Sequence, residues 1–289
     1  MAPQRTISCA HHRRLAYHGR PLIMGVLNVT PDSFSDGGAY RGLRAAVARG
    51  VQMAEEGADL IDVGGQSTRP GSRGVSEREE LRRVVPVVSR LAQRLRIPIS
   101  IDTSKAAVAA RAIAHGASLI NDVTALTGDP GMAATAARSG AAVILMHMRG
   151  RPRTMQRAPR YRDVARDIAE ALMRRVEEAE AAGIERRRLL IDPGLGFGKT
   201  VAHNLSLMRQ LERFVSLGVP VVIGPSRKSF IGRLLDAEVQ ERLAGTLACV
   251  ARAQQAGVHM VRVHDVKPAA QLVRMLDAIE RPHAAGRQR

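Results

Sequence analysis

Short apolar runs in this chain end, one after another, at residues whose side chains can bind a polar substrate. These residues are Asn28, Asp102, Asn121, His147, Asp192, Ser226 and His264. Carboxylates accept hydrogen bonds, amides both accept and donate them, and a protonated histidine can bind an anion. No Ser–His or Cys–His arrangement of a nucleophilic catalyst is obvious among them. The pattern predicts an enzyme whose polar residues converge on one site.

The apolar runs predict the scaffold that brings these residues together. They cover Leu22–Leu27, Asp59–Val63, Pro98–Ile101, Ala117–Ile120, Ala141–Met146, Leu189–Ile191, Val219–Gly224 and Val258–Val263. Short runs rich in Val, Ile and Leu, separated by helix-period segments, are typical of parallel strands buried on both faces. Eight β-then-α units predict a single-domain α/β fold, the (β/α)8 TIM barrel, with its chemistry at the carboxyl ends of the strands. We expect residues 1–20 to cover the barrel bottom, residues 21–282 to form the barrel and residues 283–289 to be a flexible tail.

The composition argues against several functions. The formal net charge of +17 would suit a nucleic-acid-binding protein, but the basic residues are scattered and aromatic residues make up only 2%. We therefore expect no nucleic-acid partner. No apolar stretch is long enough to cross a bilayer and no secretory signal is evident, so we expect no membrane partner. Cys9 and Cys249 match no metal or redox spacing, which favours reduced thiols and a cytoplasmic location.

Lysine is rare in this chain. Only four of the 44 basic residues are lysine, namely Lys105, Lys199, Lys228 and Lys267. Where arginine supplies most of the charge, a remaining lysine can mark a position that needs a compact ammonium group, and chance is the alternative explanation. Lys199 and Lys228 both follow predicted strands, which places them near the barrel mouth. The glycines before Lys199 do not form a Walker A loop, because Pro193 occupies its first glycine position and has no N–H for a phosphate.

Eight motifs, in order along the chain, resemble those of the dihydropteroate synthase family. They are Leu27–Gly38, Ile61–Gly71, Ile101–Ser104, Ile120–Asp122, Met146–Met148, Asp192–Lys199, Ser226–Ser229 and Arg262–Asp265. The resemblance implies transfer of a pterin-methyl group from 7,8-dihydropterin pyrophosphate to 4-aminobenzoate, which gives 7,8-dihydropteroate and pyrophosphate. It also implies a homodimer that uses helices late in the barrel.

The resemblance assigns four residues to a pterin pocket, namely Asp102, Asn121, Asp192 and Lys228. Their chemistry suits a pterin edge, because carboxylates accept from its amino and ring N–H groups and an ammonium donates to its carbonyl. Asn121 can accept and donate. By contrast, we assign no catalytic role to His147.

Pyrophosphate requires positive charge at the barrel mouth. Arg262 and His264 alternate by two on the last predicted strand, so both side chains point into the mouth. The resemblance implies that they bind pyrophosphate together with Arg69, and that Asn28 contributes an oxygen ligand to Mg²⁺. We expect Asp36 to stabilise a developing cation or the incoming amine. The predicted catalytic residues are therefore Asp36, Arg69, Lys228, Arg262 and His264.

The second substrate, 4-aminobenzoate, is expected beside Ser226. We expect Ser226 to open a helix whose free N–H groups favour a carboxylate. The resemblance implies that Thr68, Pro70, Phe34 and Phe197 surround the aromatic ring. Nothing in the second motif indicates gross exclusion of sulfonamides.

One position departs from the family pattern, and three alternative functions remain open. Gln66 stands where the family usually has Glu, which replaces a charge with a neutral hydrogen-bonding group. The alternatives are a pterin-binding methyltransferase that acts on a corrinoid protein, a catalytically silent homologue, and a glycosidase with paired acids. The motifs Thr68–Pro70 and Ser226–Lys228 favour the synthase, as do the retained pyrophosphate ligands. The scarcity of aromatic residues argues against a sugar-binding platform.

Overall fold

The computed structural model describes residues 5–17, 19–29, 38–67, 72, 74–150 and 154–281. A hairpin of β1 (Arg5–Ser8) and β2 (Arg14–Tyr17) precedes the barrel. The barrel strands are β3 (Leu22–Asn28), β4 (Leu60–Gly64), β5 (Ile99–Asp102), β6 (Leu119–Asp122), β7 (Ala142–Met146), β8 (Leu189–Asp192), β9 (Val222–Ile223) and β10 (Met260–Val263). The helices are α1 (Gly38–Glu55), α2 (Glu77–Arg94), α3 (Ala106–Ala114), α4 (Met132–Ser139), α5 (Val164–Ala181), α6 (Val201–Arg209), α7 (Leu211–Val215), α8 (Ser229–Leu235), α9 (Leu243–Gln255) and α10 (Val266–Glu280).

The parallel strands form a barrel, which confirms the predicted (β/α)8 fold. Strands β3 to β8 pair in sequence, β10 pairs with β3 on one side and β9 on the other, and a bridge between Ile191 and Val221 joins the two ends of the sheet. Strand β9 is shorter than the predicted run of residues 219–224. Pro220 has no N–H to donate to a neighbouring strand, although its carbonyl oxygen accepts from Ile191 N at 2.9 Å.

Apolar side chains pack on both faces of the barrel strands. Outward-facing side chains such as Ile61, Ile101 and Val143 pack against the helices and are fully buried. Inward-facing side chains at the lower end form a second cluster, in which hairpin residues Ile7 and Leu15 pack with barrel residues. The barrel contributors to this cluster are Leu22, Met24, Leu60, Leu119, Ala142, Ile144, Leu190, Val222 and Met260. The hairpin therefore closes the bottom, and the polar residues lie at the opposite end.

Among the described residues, no helix has the length and apolarity required to span a membrane.

Candidate active site

The ends of six barrel strands carry the predicted site residues of the described part of the chain. Strands β3, β5 and β8 end at Asn28, Asp102 and Asp192, and Asn121 is the penultimate residue of β6. Ser226 and Lys228 follow β9, while Arg262 lies in β10 and His264 directly follows it. Because all eight strands are parallel, these residues share one mouth.

Arg262 lies at the centre of a buried charge cluster. Its Nε donates to Asp62 Oδ2 and its Nη2 donates to Asp102 Oδ2, both at 2.7 Å. Asn121 Nδ2 donates to the same Asp62 oxygen at 3.0 Å. The cluster therefore connects one predicted pyrophosphate ligand to two predicted pterin ligands.

Asp62 belongs to this cluster, although its sequence position was not singled out as a candidate. Its side chain is fully buried, and no role was assigned to it although it lies within the second motif. The available signal was an acid inside an otherwise apolar buried strand, where an uncompensated charge would be costly.

The two predicted pterin carboxylates are buried. Burial raises the pKa of Asp102 above its ordinary value, and the positive charge of Arg262 offsets part of this rise. Burial likewise raises the pKa of Asp192. The backbone N–H of Gly194 donates to Asp192 Oδ1 at 2.6 Å, and this hydrogen bond and the charge of Lys228 favour the ionised form. Both groups are suited to accept hydrogen bonds from a polar ring.

Lys228 and Phe197 lie together at the mouth. The Lys228 ammonium is 4.1 Å from the centre of the Phe197 ring, a cation–π distance. Gly196 allows the loop to approach closely, because a Cβ there would lie 3.2 Å from Lys228 Cδ and the residue has a φ of +81°. The structure thus brings a predicted pterin ligand beside a predicted ring contact.

Ser226 contacts His264. The Ser226 hydroxyl lies 3.0 Å from His264 Nδ1 and accepts from the His264 backbone N–H at 3.2 Å. This Ser–His contact is not evident from the sequence, because 38 residues separate the two. The prediction that Ser226 opens a helix is wrong, since α8 begins only at Ser229. Ser226 lies instead in the preceding turn.

A salt bridge stabilises that turn. Arg227 has a φ of +57°, which is unfavourable for a residue with a side chain. Its Nε and Nη2 donate to Asp265 Oδ2 and Oδ1 at 3.0 and 2.5 Å, and its backbone N–H donates to Thr246 Oγ1 at 3.1 Å. Arg227 and Asp265 belong to two of the quoted motifs, but their pairing was not predicted. Their contacts hold Ser226 and Lys228 on either side of the strained residue.

Lys199 and His147 contact each other and connect two loops at the barrel mouth. The Lys199 ammonium donates to Phe197 O at 2.9 Å and His147 O at 3.3 Å, and it lies 3.2 Å from His147 Nδ1. Burial lowers the pKa of Lys199 to about 7 and that of His147 to about 3. The neutral imidazole therefore suits a contact with the lysine. These contacts fasten the loop after β8 to the loop after β7.

Five predicted residues lie outside the described residues, namely Phe34, Asp36, Thr68, Arg69 and Pro70. Their assignments remain predictions. The described residues contain no group of three or more His, Cys, Asp or Glu side chains that could hold a metal ion. Asn28 is the predicted Mg²⁺ ligand in the described part of the chain. A single neutral oxygen suits a Mg²⁺ ion that takes its other ligands from phosphate and water.

Comparison with known proteins shows the family of this chain. Residues 24–264 match the pterin binding enzyme family, and the chain therefore belongs to that family. It is 48% identical over 258 residues to the dihydropteroate synthase of Escherichia coli (strain K12), covering 89% of this chain and 91% of the relative. Within the pterin-binding enzymes, the chain thus belongs to the dihydropteroate synthases.

Solved structures of this family share the fold. The dihydropteroate synthase of Xanthomonas albilineans with 4-aminobenzoic acid has a TM-score of 0.90 and 46% identity, covering 96% of this chain and 99% of the other. The Yersinia pestis dihydropteroate synthase, solved with a sulfonamide drug complex, has a TM-score of 0.88 and 46% identity, covering 94% and 98%.

Proposed function

We propose that this barrel mouth condenses 7,8-dihydropterin pyrophosphate with 4-aminobenzoate, yielding 7,8-dihydropteroate and pyrophosphate. The observation that carries the proposal is the Asp102–Arg262 contact, which joins a buried acceptor for pterin to a cation for pyrophosphate. In the reaction, the amine nitrogen bonds to the pterin-methyl carbon, the carbon–oxygen bond to pyrophosphate breaks, and the amine loses a proton.

The pterin edge is assigned to Asp102, Asn121, Asp192 and Lys228. All four lie at the mouth, and Asp102, Asn121 and Asp192 are more than nine-tenths buried. Carboxylates in such a site accept from the pterin amino and ring N–H groups, and Lys228 donates to the carbonyl side. Because three of these side chains are buried, these hydrogen bonds discriminate strongly against rings that lack the donors.

Departure of pyrophosphate is the step that needs stabilisation. Arg262 and His264, together with Arg69, supply donors and positive charge for the developing negative charge on the leaving oxygen. Asn28 would hold Mg²⁺, which supplies further charge neutralisation to the phosphate oxygens when bound. Asp36 is assigned to the developing cation or the incoming amine. The arylamine is neutral near pH 7, so the mechanism needs no strong general base.

The 4-aminobenzoate carboxylate is assigned to Ser226. The Ser226 hydroxyl contacts His264, so the residue assigned to the 4-aminobenzoate carboxylate lies next to a residue assigned to pyrophosphate. Thr68, Pro70 and Phe197 are assigned to the ring. This arrangement would place the amine near the carbon that loses pyrophosphate.

We further propose a cytoplasmic homodimer. Helices α8, α9 and α10 expose large apolar side chains, which supports an interface at the late helices. These residues are Leu234, Leu235, Leu243, Met275 and Ile279. Sedimentation equilibrium of the purified protein tests the dimer, and the double substitution Leu234→Asp with Met275→Asp should give a monomer.

The reaction is tested by measuring pyrophosphate release and dihydropteroate formation with both substrates and Mg²⁺. We expect release to require 4-aminobenzoate, and Asp192→Asn to reduce it strongly. A sulfonamide added with 4-aminobenzoate extends the test to inhibition. Pterin binding without any dihydropteroate would refute the proposed reaction.

A further inference from the structure

Asp62 lies beneath the substrate-binding residues. It is two residues before the end of β4, and its side chain has no exposed surface, whereas Asp102 at the end of β5 retains 7% exposure. Asp62 therefore lies deeper in the barrel than Asp102, and its observed hydrogen bonds are to Arg262 and Asn121. Any effect it has on the reaction passes through the residues that it holds.

One oxygen of Asp62 makes both of its hydrogen bonds. Oδ2 accepts from Arg262 Nε at 2.7 Å and from Asn121 Nδ2 at 3.0 Å. Oδ1 is buried and has no hydrogen-bond partner among the described residues. A carboxylate committed in this way fixes the orientation of both donors, because each would lose a charge-assisted hydrogen bond by turning away.

The contact decides which end of the Asn121 amide meets a ligand. An asparagine can present either its oxygen or its nitrogen, since the two groups have nearly the same shape. Asp62 accepts only, so it selects the orientation with Nδ2 towards itself. The Asn121 carbonyl oxygen is then left to accept from a ring N–H or amino group.

Arg262 is shared between Asp62 and Asp102. A pterin that donates to Asp102 competes with Arg262 for that carboxylate. The hydrogen bond between Arg262 and Asp62 lies deeper in the barrel and is not affected by this competition. Arg262 would then keep one counter-charge and one fixed nitrogen while the ring binds. The Arg262 guanidinium would therefore already be in position to contact pyrophosphate.

We infer that Asp62 is a positioning residue that sets the acceptor pattern of the pterin pocket through Asn121 and retains Arg262 during pterin binding. This inference deepens the proposed function and rests on it. The chemical class selected is a ring with an N–H or amino donor directed at Asn121, carrying an anionic leaving group directed at Arg262.

Asp62→Asn tests the inference because it keeps the shape and removes the charge. Calorimetry with pterin-6-carboxylate, a ligand that cannot react, should show affinity lowered by about tenfold or more, because the free protein would then hold Asn121 and Arg262 in the binding orientation only part of the time. The KM for dihydropterin pyrophosphate should rise similarly, while the KM for 4-aminobenzoate should change less than about twofold.

Asp122→Asn is the matched control. Asp122 is also a fully buried barrel-strand aspartate, but its carboxylate accepts from Thr124 N, Thr124 Oγ1 and Leu126 N in the following loop. We expect this variant to lose stability without the selective loss of pterin affinity. Equal effects of the two variants on pterin binding, or unchanged affinity in Asp62→Asn, would overturn the inference.

A second measurement covers the case in which Asp62→Asn does not fold. In the unaltered protein, the Asn121 side-chain N–H protons should exchange slowly with solvent, and rapid exchange would contradict the inference. The calorimetric result stands even without turnover. Failure of the proposed reaction would appear instead as absent dihydropteroate in the unaltered protein.

Discussion

Lys105 Nζ lies 2.8 Å from Gln66 Oε1, and the same ammonium forms a salt bridge with the buried carboxylate of Glu80. The Gln66 oxygen also accepts from the backbone N–H of Val75 at 3.1 Å. Gln66 thereby joins the two ends of the segment between residues 66 and 75. Glu80 already supplies one negative charge to Lys105, which gives a physical account of how a neutral residue functions where the family usually has Glu.

Replacing Lys105 tests this charge balance. Lys105→Met leaves Glu80 buried without its cation, so we expect the free energy of unfolding to fall by about 2 kcal/mol, less than for a fully buried pair because the lysine is partly exposed. Urea denaturation measures the loss. Adding Glu80→Gln should recover part of it, and a loss within about 0.5 kcal/mol of zero would show that the pair contributes little.

Ser226 should affect one substrate more than the other. Ser226→Ala removes the hydroxyl assigned to the 4-aminobenzoate carboxylate, so we expect the KM for 4-aminobenzoate to rise about tenfold. The KM for dihydropterin pyrophosphate should change less, through the His264 contact. Steady-state kinetics distinguish the two, with the exposed Ser229→Ala as the control. A larger rise in the KM for dihydropterin pyrophosphate would instead assign Ser226 to the pyrophosphate site.

Lys199 should leave a signature in the pH dependence of stability. Its folded pKa is lowered from 10.5 to about 7, so between these values the unfolded chain binds more protons and stability rises with pH. Below pH 7 the full cost of the buried charge remains. Lys199→Met should remove a slope of roughly 1 kcal/mol per pH unit from urea midpoints converted to free energies. The exposed Lys267→Met should retain the slope; an identical slope in both variants would rule out the shift.

The buried pterin carboxylates predict an acid limb at unusually high pH. Burial raises the pKa values of Asp102 and Asp192, so each loses its charge at a higher pH than an exposed carboxylate as the solution is acidified. Because the ionised forms accept the pterin donors, kcat/KM for dihydropterin pyrophosphate should fall in that range. A pH–rate profile measures the limb. If activity holds down to the ordinary carboxylate range near pH 4, the shifts do not operate in the free enzyme.

Local patterns in the sequence were sufficient for the barrel and for most of the residues at its mouth. The length and composition of the apolar runs indicate buried parallel strands. The first polar residue after such a run is then expected at or near the carboxyl end of the strand. This reasoning placed Asp102 and Asp192 at the ends of β5 and β8, and the two-residue alternation of a strand placed Arg262 in β10.

Only the tertiary structure decided which of these residues contact one another. Asp62 and Arg262 are 200 residues apart and meet because β10 and β4 flank β3 in the closed barrel. Ser226 and His264 meet because β9 pairs with β10, and the turn at Arg227 starts α8 later than the sequence suggested. Strand periodicity is a property of neighbouring residues, whereas these contacts depend on barrel closure and turn geometry. The sequence therefore determined the reacting groups, and the closed barrel determined the partners that orient them.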